Sequence, residues 1–413
     1  MNYKEINCCR ICGNKNLIDV LDLGVMALTG HFLKKNYNDI TEGPIILSKC
    51  IERNEKHCGL LQLKHTYDLT ELYSYNYGYR SGLNTSMVTH LKNNIKNIEK
   101  NIKLQPGDVV LDIGSNDGTT LRQYVTKDIL KIGIDPTANK FKRFYDDNSI
   151  LIPDFFTKKI FEENFKEKKC KVVTSFSMFY DLEDPMSFMS DIFDILEISG
   201  IWVFEQSYLP DMLKKNAFDT ICHEHLEYYA LKQILWMANK VGFSLIDVEF
   251  DHTNGGSFRI TAQKNLEVRH ADVIQQVIKA EEKNGINDLT AFIVFQQKID
   301  KTKKDFWQFI EDAIGNGKKI CALGASTKGN VLLQYFGINS DVIEQIGEVN
   351  EEKFNTFTPG THIRIIDQSE LLSQHYDYFV VLPWHFKEFF INNPIFVGKK
   401  LVFLLPELEI VSL

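Results

Sequence analysis

Two imidazoles, a carboxylate and a thiol stand in four consecutive positions of the segment Phe218-Asp-Thr-Ile-Cys222-His223-Glu224-His225. Histidine is the side chain best suited to take a proton near neutral pH. Glu224 can act as a base or can orient an imidazole. His223 and His225 share one side only if the chain is extended there. The spacing is not H-E-x-x-H, so a zincin helix is excluded. The plainer alternative is a polar network that stabilises a core.

A second constellation is Asp108-Val-Val-Leu-Asp112-Ile-Gly114-Ser115-Asn116-Asp117-Gly118. The apolar run suits a central parallel strand. Gly114 allows a sharp turn, Gly118 a close backbone approach to a ligand, and Asn116 or Asp117 can cap a following helix. G-x-G-x-x-G is absent, which argues against a dinucleotide pyrophosphate. The carboxylates Asp112 and Asp117 favour a cationic ligand, and S-adenosylmethionine (SAM) carries a sulfonium and an ammonium. Leu130-Lys-Ile-Gly-Ile-Asp135-Pro136 reads as the next strand, and Asp135 stands 21 residues after Gly114, the distance expected for a ribose contact. Asp154, Phe155 and Phe156 can flank an adenine, although Phe156 suits a core equally. Ser177, after the fourth strand, completes the expected cofactor set. A βαβ turn without ligand is the alternative.

Five of the eight cysteines lie in the first 70 residues. Cys9-Arg-Ile-Cys12-Gly is a knuckle, and Cys50 with Cys58 can close a four-thiolate structural zinc site. Cys8 competes with Cys9, but Cys9 gives the two-residue gap; buried free thiols are the alternative. Tyr73, Tyr75, Tyr77 and Tyr79 alternate ahead of Arg80, as a packed segment or as a lid offering phenols to a polar substrate. Near the other end, Lys318-Lys-Ile-Cys-Ala-Leu-Gly324-Ala-Ser326-Thr327-Lys328-Gly-Asn330 is again strand, glycine turn and helix. It is not an ATPase P-loop, yet its helix start suits a phosphate. Pro383-Trp384-His385 follows another strand at the edge where ligands bind. A dimerisation or scaffold domain is the alternative for this unit.

These residues need α/β elements to hold them. Strands are expected at 108–113, 130–135, 149–152, 171–176 and 200–205, with helices near 118–127, 138–147, 157–167 and 184–198 between them. That alternation predicts a doubly wound, mainly parallel sheet, closed by a hairpin from 242–250 and 256–262 into a seven-stranded, Rossmann-like methyltransferase sheet. An amphipathic helix at about 86–104 leads in. A helical connector over 266–312 leads out to strands near 318–323, 344–349, 377–382 and 400–404. Three domains follow: a small zinc-binding domain at 1–70, a SAM domain at 71–265 and a C-terminal α/β domain at 266–413. Apolar content of 44% and charged content of 25% are ordinary for a globular chain. A net charge of −8 leaves no footprint for nucleic acid. There is no signal-like start and no membrane-length apolar run, so a cytoplasmic protein with reduced thiols is expected; three domains can bury a core in a monomer.

The sequence resembles the zinc-containing, SAM-dependent C-methyltransferases of nucleotide-linked deoxysugars, known for C-3 branching of 4-keto-6-deoxy sugars. The matching pieces span nearly the whole chain: Cys9-Arg-Ile-Cys12-Gly, Cys58-Gly-Leu-Leu-Gln-Leu63, Leu111-Asp-Ile-Gly-Ser-Asn-Asp-Gly118, Glu183-Asp-Pro185, Phe218 to His225, Gly255-Gly-Ser-Phe-Arg259, Gly324 to Asn330 and Leu382-Pro-Trp384. The resemblance implies structural zinc on the cysteines, SAM in the middle domain, and a nucleotide diphosphate sugar held partly by the C-terminal domain. It implies sugar-nucleotide contacts from Tyr75, Arg80, Cys222, Asn254, Arg259, Ser326, Thr327, Lys328, Asn330, Trp384 and His385. It further implies an enolate made by His225 as base, with Glu224 orienting it and His223 or a lid tyrosine bonding the enolate oxygen. Three departures stand out. Cys222 replaces a tyrosine of the family, whose role in proton handling is either missing here or filled elsewhere, by Tyr77 or Tyr79. Asp181 stands where many members have histidine, and the Cys50–Cys58 spacing is long. Sugar O- or N-methylation and a non-catalytic binding protein are the rival readings.

Overall fold

The computed structural model describes residues 3–34, 40–72, 80–251, 255–286 and 288–413. The expected sites at Tyr75, Tyr77, Tyr79 and Asn254 lie outside the described residues. The five residues of Val109–Ile113 are all buried and form an interior strand of a seven-stranded sheet. From one edge the order is Phe243–Asp251, Ser257–Lys264, Leu196–Ser207, Cys170–Phe176, Val109–Ile113, Leu130–Ile134 and Ser149–Ile152. Ser257–Lys264 is antiparallel to both its neighbours and Leu196–Ser207 is parallel to Cys170–Phe176. This is the expected parallel sheet closed by a hairpin, with the chain reversing its winding between Cys170–Phe176 and Val109–Ile113. Crevices of α/β sheets open at such a reversal, outside the carboxyl ends of the strands.

Helices Thr85–Asn101, Lys158–Phe165 and Pro185–Ile195 fall where expected. The helix expected at 118–127 does not form. Only a 3-10 turn, Leu121–Gln123, is present, because local side chains capture the backbone. Asp117 Oδ1 accepts from the amide and hydroxyl of Thr119, and Arg122 donates to the carbonyls of Asp117 and Phe144. The helix expected at 138–147 shrinks to Ala138–Phe141 plus a 3-10 turn.

The amino-terminal region is an antiparallel sheet that periodicity did not reveal. Leu17–Ala27, Glu42–Cys50 and Leu61–Leu63 pair in order, and Glu227–Tyr228, directly after the His-Glu-His segment, adds the fourth strand. The catalytic candidates are therefore carried between two sheets. The C-terminal α/β domain follows the helices Asp272–Lys283 and Leu289–Gly315. Its six strands are ordered Arg364–Asp367, Gln345–Glu348, Ile320–Leu323, Tyr378–Val381, Lys400–Phe403 and Glu409–Ser412. All pairs are parallel except the last, and a second reversal of winding lies between Ile320–Leu323 and Tyr378–Val381. Two cores cross these sheets. Leu21, Leu47 and Leu63 pack in one cluster with Leu323, Val331 and Val381, while Cys9, Cys50 and Leu60 join Leu111, Val173 and Phe204 in another. Among the described residues, no helix is long and apolar enough to cross a membrane.

Candidate active site

The glycine turn after Val109–Ile113 meets the start of the loop after Cys170–Phe176. Gly114 has φ 72°, and a Cβ there would lie 3.0 Å from Met178 Cγ. A Cβ at Gly118 would meet the Tyr145 ring at 3.1 Å, so the glycine makes room for Tyr145. The Tyr145 hydroxyl pairs with Ser115 Oγ and donates to the Asn116 carbonyl, propping the turn from below. From above, Arg80 Nε and the amide of Gly82 reach Asp117 Oδ2, and the amide of Ser81 reaches Asn116 Oδ1. Arg80 also stacks on Phe144, 3.9 Å from its centroid. It is thus placed on the glycine turn of the central sheet; the expectation was a sugar contact.

Asp112 and Asp135 line this turn and are 2% and 5% exposed. Asp135 accepts from the Asn116 amide at 2.8 Å and from Thr137 at 2.6 Å, and Pro136 follows it. Asp154 and Phe155 are exposed beyond the next strand, whereas Phe156 packs edge-on against Phe188 at 5.3 Å, its core alternative. Ser177, with φ 55°, donates its amide to the Glu205 carbonyl. An acidic buried turn beside an exposed phenyl ring fits a nucleoside carrying a cationic chain.

Burial pushes Asp112 up to about 7, opposed by hydroxyls of Thr174 and Thr120. The folded protein therefore holds a proton that the unfolded chain releases in the ordinary carboxylate range. This stabilisation is complete at acid pH and is lost as pH rises through about 7. A cation bound at the turn favours the ionised form, so SAM affinity should rise as pH passes from 6 to 8. Asp112→Asn should flatten that dependence in calorimetric titrations across about two pH units either side of neutrality.

The His-Glu-His segment is a turn, not an extended chain: the His225 amide donates to the Cys222 carbonyl at 3.2 Å. The two imidazoles consequently diverge. His223 is fully buried, edge-on to Tyr67 at 4.6 Å and facing the backbone of Gly43 and Met26 in the amino-terminal sheet. That placement sets His223 against the amino-terminal sheet, whereas the expectation was that it bonds an enolate oxygen. His225 is half-buried, with its ring 4.5 Å from that of Tyr180, and the Leu226 amide donates to the Tyr180 carbonyl. Tyr180 lies two residues beyond Met178, so His225 stands next to the loop that touches the glycine turn. The Thr220 carbonyl, 2.6 Å from Nδ1, accepts a proton only if Nδ1 carries one. That fixes the tautomer with the lone pair on Nε2. Burial, with the Lys328 charge adding to it, lowers His225 to about 4, so the ring is neutral at physiological pH. Thr220, not Glu224, orients the imidazole, which corrects the role expected of Glu224. Glu224 turns the other way, 3.4 Å from Thr29 Oγ1, and burial raises its pKa. Cys222 is fully buried beside it.

The C-terminal domain brings its own reversal point to this place. Ser326 caps the helix Thr327–Phe336 by accepting from the Gly329 amide. A Cβ at Gly324 would strike Pro383 at 2.6 Å, which joins the glycine turn to Pro383-Trp384-His385. Trp384 Nε1 donates to Asp219 Oδ2 at 2.8 Å, and the Asp219 charge acts on Lys328. His385, half-buried beside Trp384, feels the same lysine. Lys328, Asp219, Trp384, His385 and His225 are therefore one cluster at the junction of the sheets. Two of the expected contacts also have protein partners. Asn330 is fully buried and donates to the Thr29 carbonyl at 2.7 Å. Arg259 bonds Asn94 and Glu249 and lies 3.9 Å from Glu205. Glu205 holds both its oxygens within 2.9 Å of His90 Nε2. Burial works against charge on His90, and Glu205 outweighs it. Neither His90–Glu205 nor the Thr29-Gly30-His31 stretch carries a sequence pattern that marks it as part of a site.

The four sulfurs of Cys9, Cys12, Cys50 and Cys58 lie within 4.8 Å of one another, with 3.4 Å between Cys9 and Cys58 and 3.6 Å between Cys12 and Cys50. Tetrahedral zinc with bonds of about 2.3 Å needs sulfurs roughly 3.8 Å apart, so the donor set fits. Asn14 Nδ2 donates to Cys50 Sγ, an outer contact that fixes a thiolate ligand. Cys8 is not in the cluster. Four protein thiolates close the coordination sphere and leave a structural role.

Three family profiles match in succession: a methyltransferase zinc binding domain over residues 9–73, a methyltransferase domain over 88–248, and the C-methyltransferase C-terminal domain over 252–406. The C-methyltransferase NovU of Streptomyces niveus is 25% identical over 418 aligned positions, covering 99% of this chain and 98% of NovU. Among solved structures, the SAM-bound magnesium protoporphyrin IX methyltransferase ChlM of Synechocystis PCC 6803 aligns with 43% of this chain and 79% of its own (12% identity, TM-score 0.33). The N-methyltransferase NodS of Bradyrhizobium japonicum WM9 aligns with 44% of this chain and 98% of its own (8% identity, TM-score 0.32).

Proposed function

We propose that this SAM-dependent C-methyltransferase takes as its acceptor a nucleotide diphosphate-linked 4-keto-6-deoxy sugar, methylated at C-3. The observation that carries the proposal is the His225 ring: neutral, fixed by Thr220 with its lone pair on Nε2, and set between the cofactor turn and the Lys328 cluster. A carbon beside a ketone is acidic but not nucleophilic while it keeps its proton. His225 Nε2 takes that proton, and the C–H electron pair becomes an enolate. SAM, held by the acidic turn, supplies an electrophilic methyl group on a positively charged sulfur. The enolate carbon would form the new C–C bond as the S–CH3 bond breaks, the bonding pair staying on sulfur and neutral S-adenosylhomocysteine leaving, and the imidazolium returns its proton to solvent.

Lys328 and the start of the helix Thr327–Phe336 suit the diphosphate, with Thr327 and the Trp384–His385 edge along the nucleotide. Tyr77 or Tyr79 is left to bond the enolate oxygen, and Glu224, away from His225, to bond the sugar. The division at residues 70 and 265 assigns zinc, SAM and nucleotide to successive domains. The test is incubation with SAM and thymidine or guanosine diphosphate 4-keto-6-deoxy sugars. Carbon NMR should show a new C-methyl on the carbon next to the ketone. A methoxy or N-methyl signal, or no SAM consumed with any keto sugar, would refute the reading.

A further inference from the structure

The strand Leu17–Ala27 runs on into Leu28-Thr29-Gly30-His31, and this strap crosses the catalytic segment. Thr29 Oγ1 donates to Glu224 Oε2 at 3.4 Å. Gly30 has no side chain to spare: a Cβ there would lie 2.5 Å from Glu224 Oε1 and 3.9 Å from Thr327 Oγ1. His31, 7% exposed, has Nε2 2.9 Å from the Glu71 carbonyl, just before the tyrosine-bearing stretch, and its charge acts on Glu224. The strap is tied to the C-terminal domain on its far side. Gln334 exchanges hydrogen bonds of 2.8 and 3.1 Å with the backbone of Ala27, and Asn330 holds the Thr29 carbonyl.

We propose that Thr29 and Gly30 are positioning residues for Glu224: the zinc-bearing domain fixes the place of the catalytic carboxylate as well as the fold. This rests on the proposed function, in which Glu224 bonds the acceptor sugar. Gly30 is the informative position. Its φ is not left-handed, so alanine is allowed by the backbone, and the atom it would strike is the end of a flexible side chain. Gly30→Ala therefore keeps the fold and moves the carboxylate.

Gly30→Ala and Thr29→Val should each lower kcat/KM for the keto sugar by about 10–100-fold, the cost of a displaced group of roughly 1 Å. SAM affinity and zinc content should stay at the wild-type level. Thr29→Ser, which keeps the hydroxyl, should restore most of the rate. In a Glu224→Gln background, Gly30→Ala should cost no more than about twofold, because the two changes act through one group. The full loss recurring in that background, or a Gly30→Ala crystal structure with the Glu224 carboxylate unmoved, would overturn the proposal. The crystal structure reads out the strap even if the wild-type protein methylates no keto sugar, an outcome that would sink the functional reading alone.

Discussion

His225→Asn should turn over the keto sugar roughly 10²–10⁴-fold more slowly than the wild type, with SAM binding intact. Asparagine can still reach the Thr220 carbonyl but offers no lone pair comparable to Nε2. Two measurements separate a lost base from a disturbed pocket. Wash-in of deuterium next to the ketone, without cofactor, should disappear in the variant. In the wild type, kcat/KM at saturating SAM should show no acid limb from His225 near pH 6.5, because burial holds its pKa near 4. The sign for stability is opposite to that of Asp112. His223 and His225 are both lowered to about 4, so the stability they contribute is complete above pH 6.5 and falls away towards pH 4. A variant that keeps both turnover and deuterium exchange would remove His225 from the mechanism.

Stripping zinc, by a strong chelator or by Cys12→Ser, should be more drastic still. Structural four-ligand zinc contributes about 10–16 kcal/mol of apparent binding free energy in small modules, against a total stability of roughly 5–15 kcal/mol for an average domain. Its loss should unfold the amino-terminal sheet outright. The edge strand Glu227–Tyr228 would lose its partner Leu61–Leu63, so methyl transfer should vanish with it. The expected record is one zinc per chain by atomic emission, a large fall in thermal midpoint on chelation, and rapid proteolysis near residues 1–70. A metal-free protein with unchanged melting and full turnover would contradict this account.

The central sheet was legible in the sequence because fully buried parallel strands are short apolar runs, and VVLDI, LKIGI and KVVTSF are that. The cysteine quartet was legible from its chemistry alone. The amino-terminal sheet was hidden because Leu17–Ala27 interleaves Asp19, Asp22 and Gly24 with its apolar residues, and its register slips twice against Glu42–Cys50. The absent helix at 118–127 was masked by a capping pattern: Asp117 reads as a helix cap but closes a local turn with Thr119 instead. At the site, residue type pointed to the His-Glu-His segment, but orientation could not be inferred. Only the turn at Cys222–His225 sends His223 and Glu224 away from His225. The family resemblance implied ligand contacts for Arg259 and Asn330, and their protein partners add a structural role. Their partners, Glu249, Asn94 and the Thr29 carbonyl, are distant in sequence and became visible only once the chain was folded.

The two-residue strand Glu227–Tyr228 also limits how such a chain can be taken apart. A middle piece expressed alone would end its catalytic turn in an unsatisfied sheet edge, and a leading piece alone would display the complementary one. Grafting one homologue's front end onto another's remainder should succeed only when both halves of that seam come from the same parent. Mixed together as separate polypeptides, the two pieces should recover activity by zipping along it.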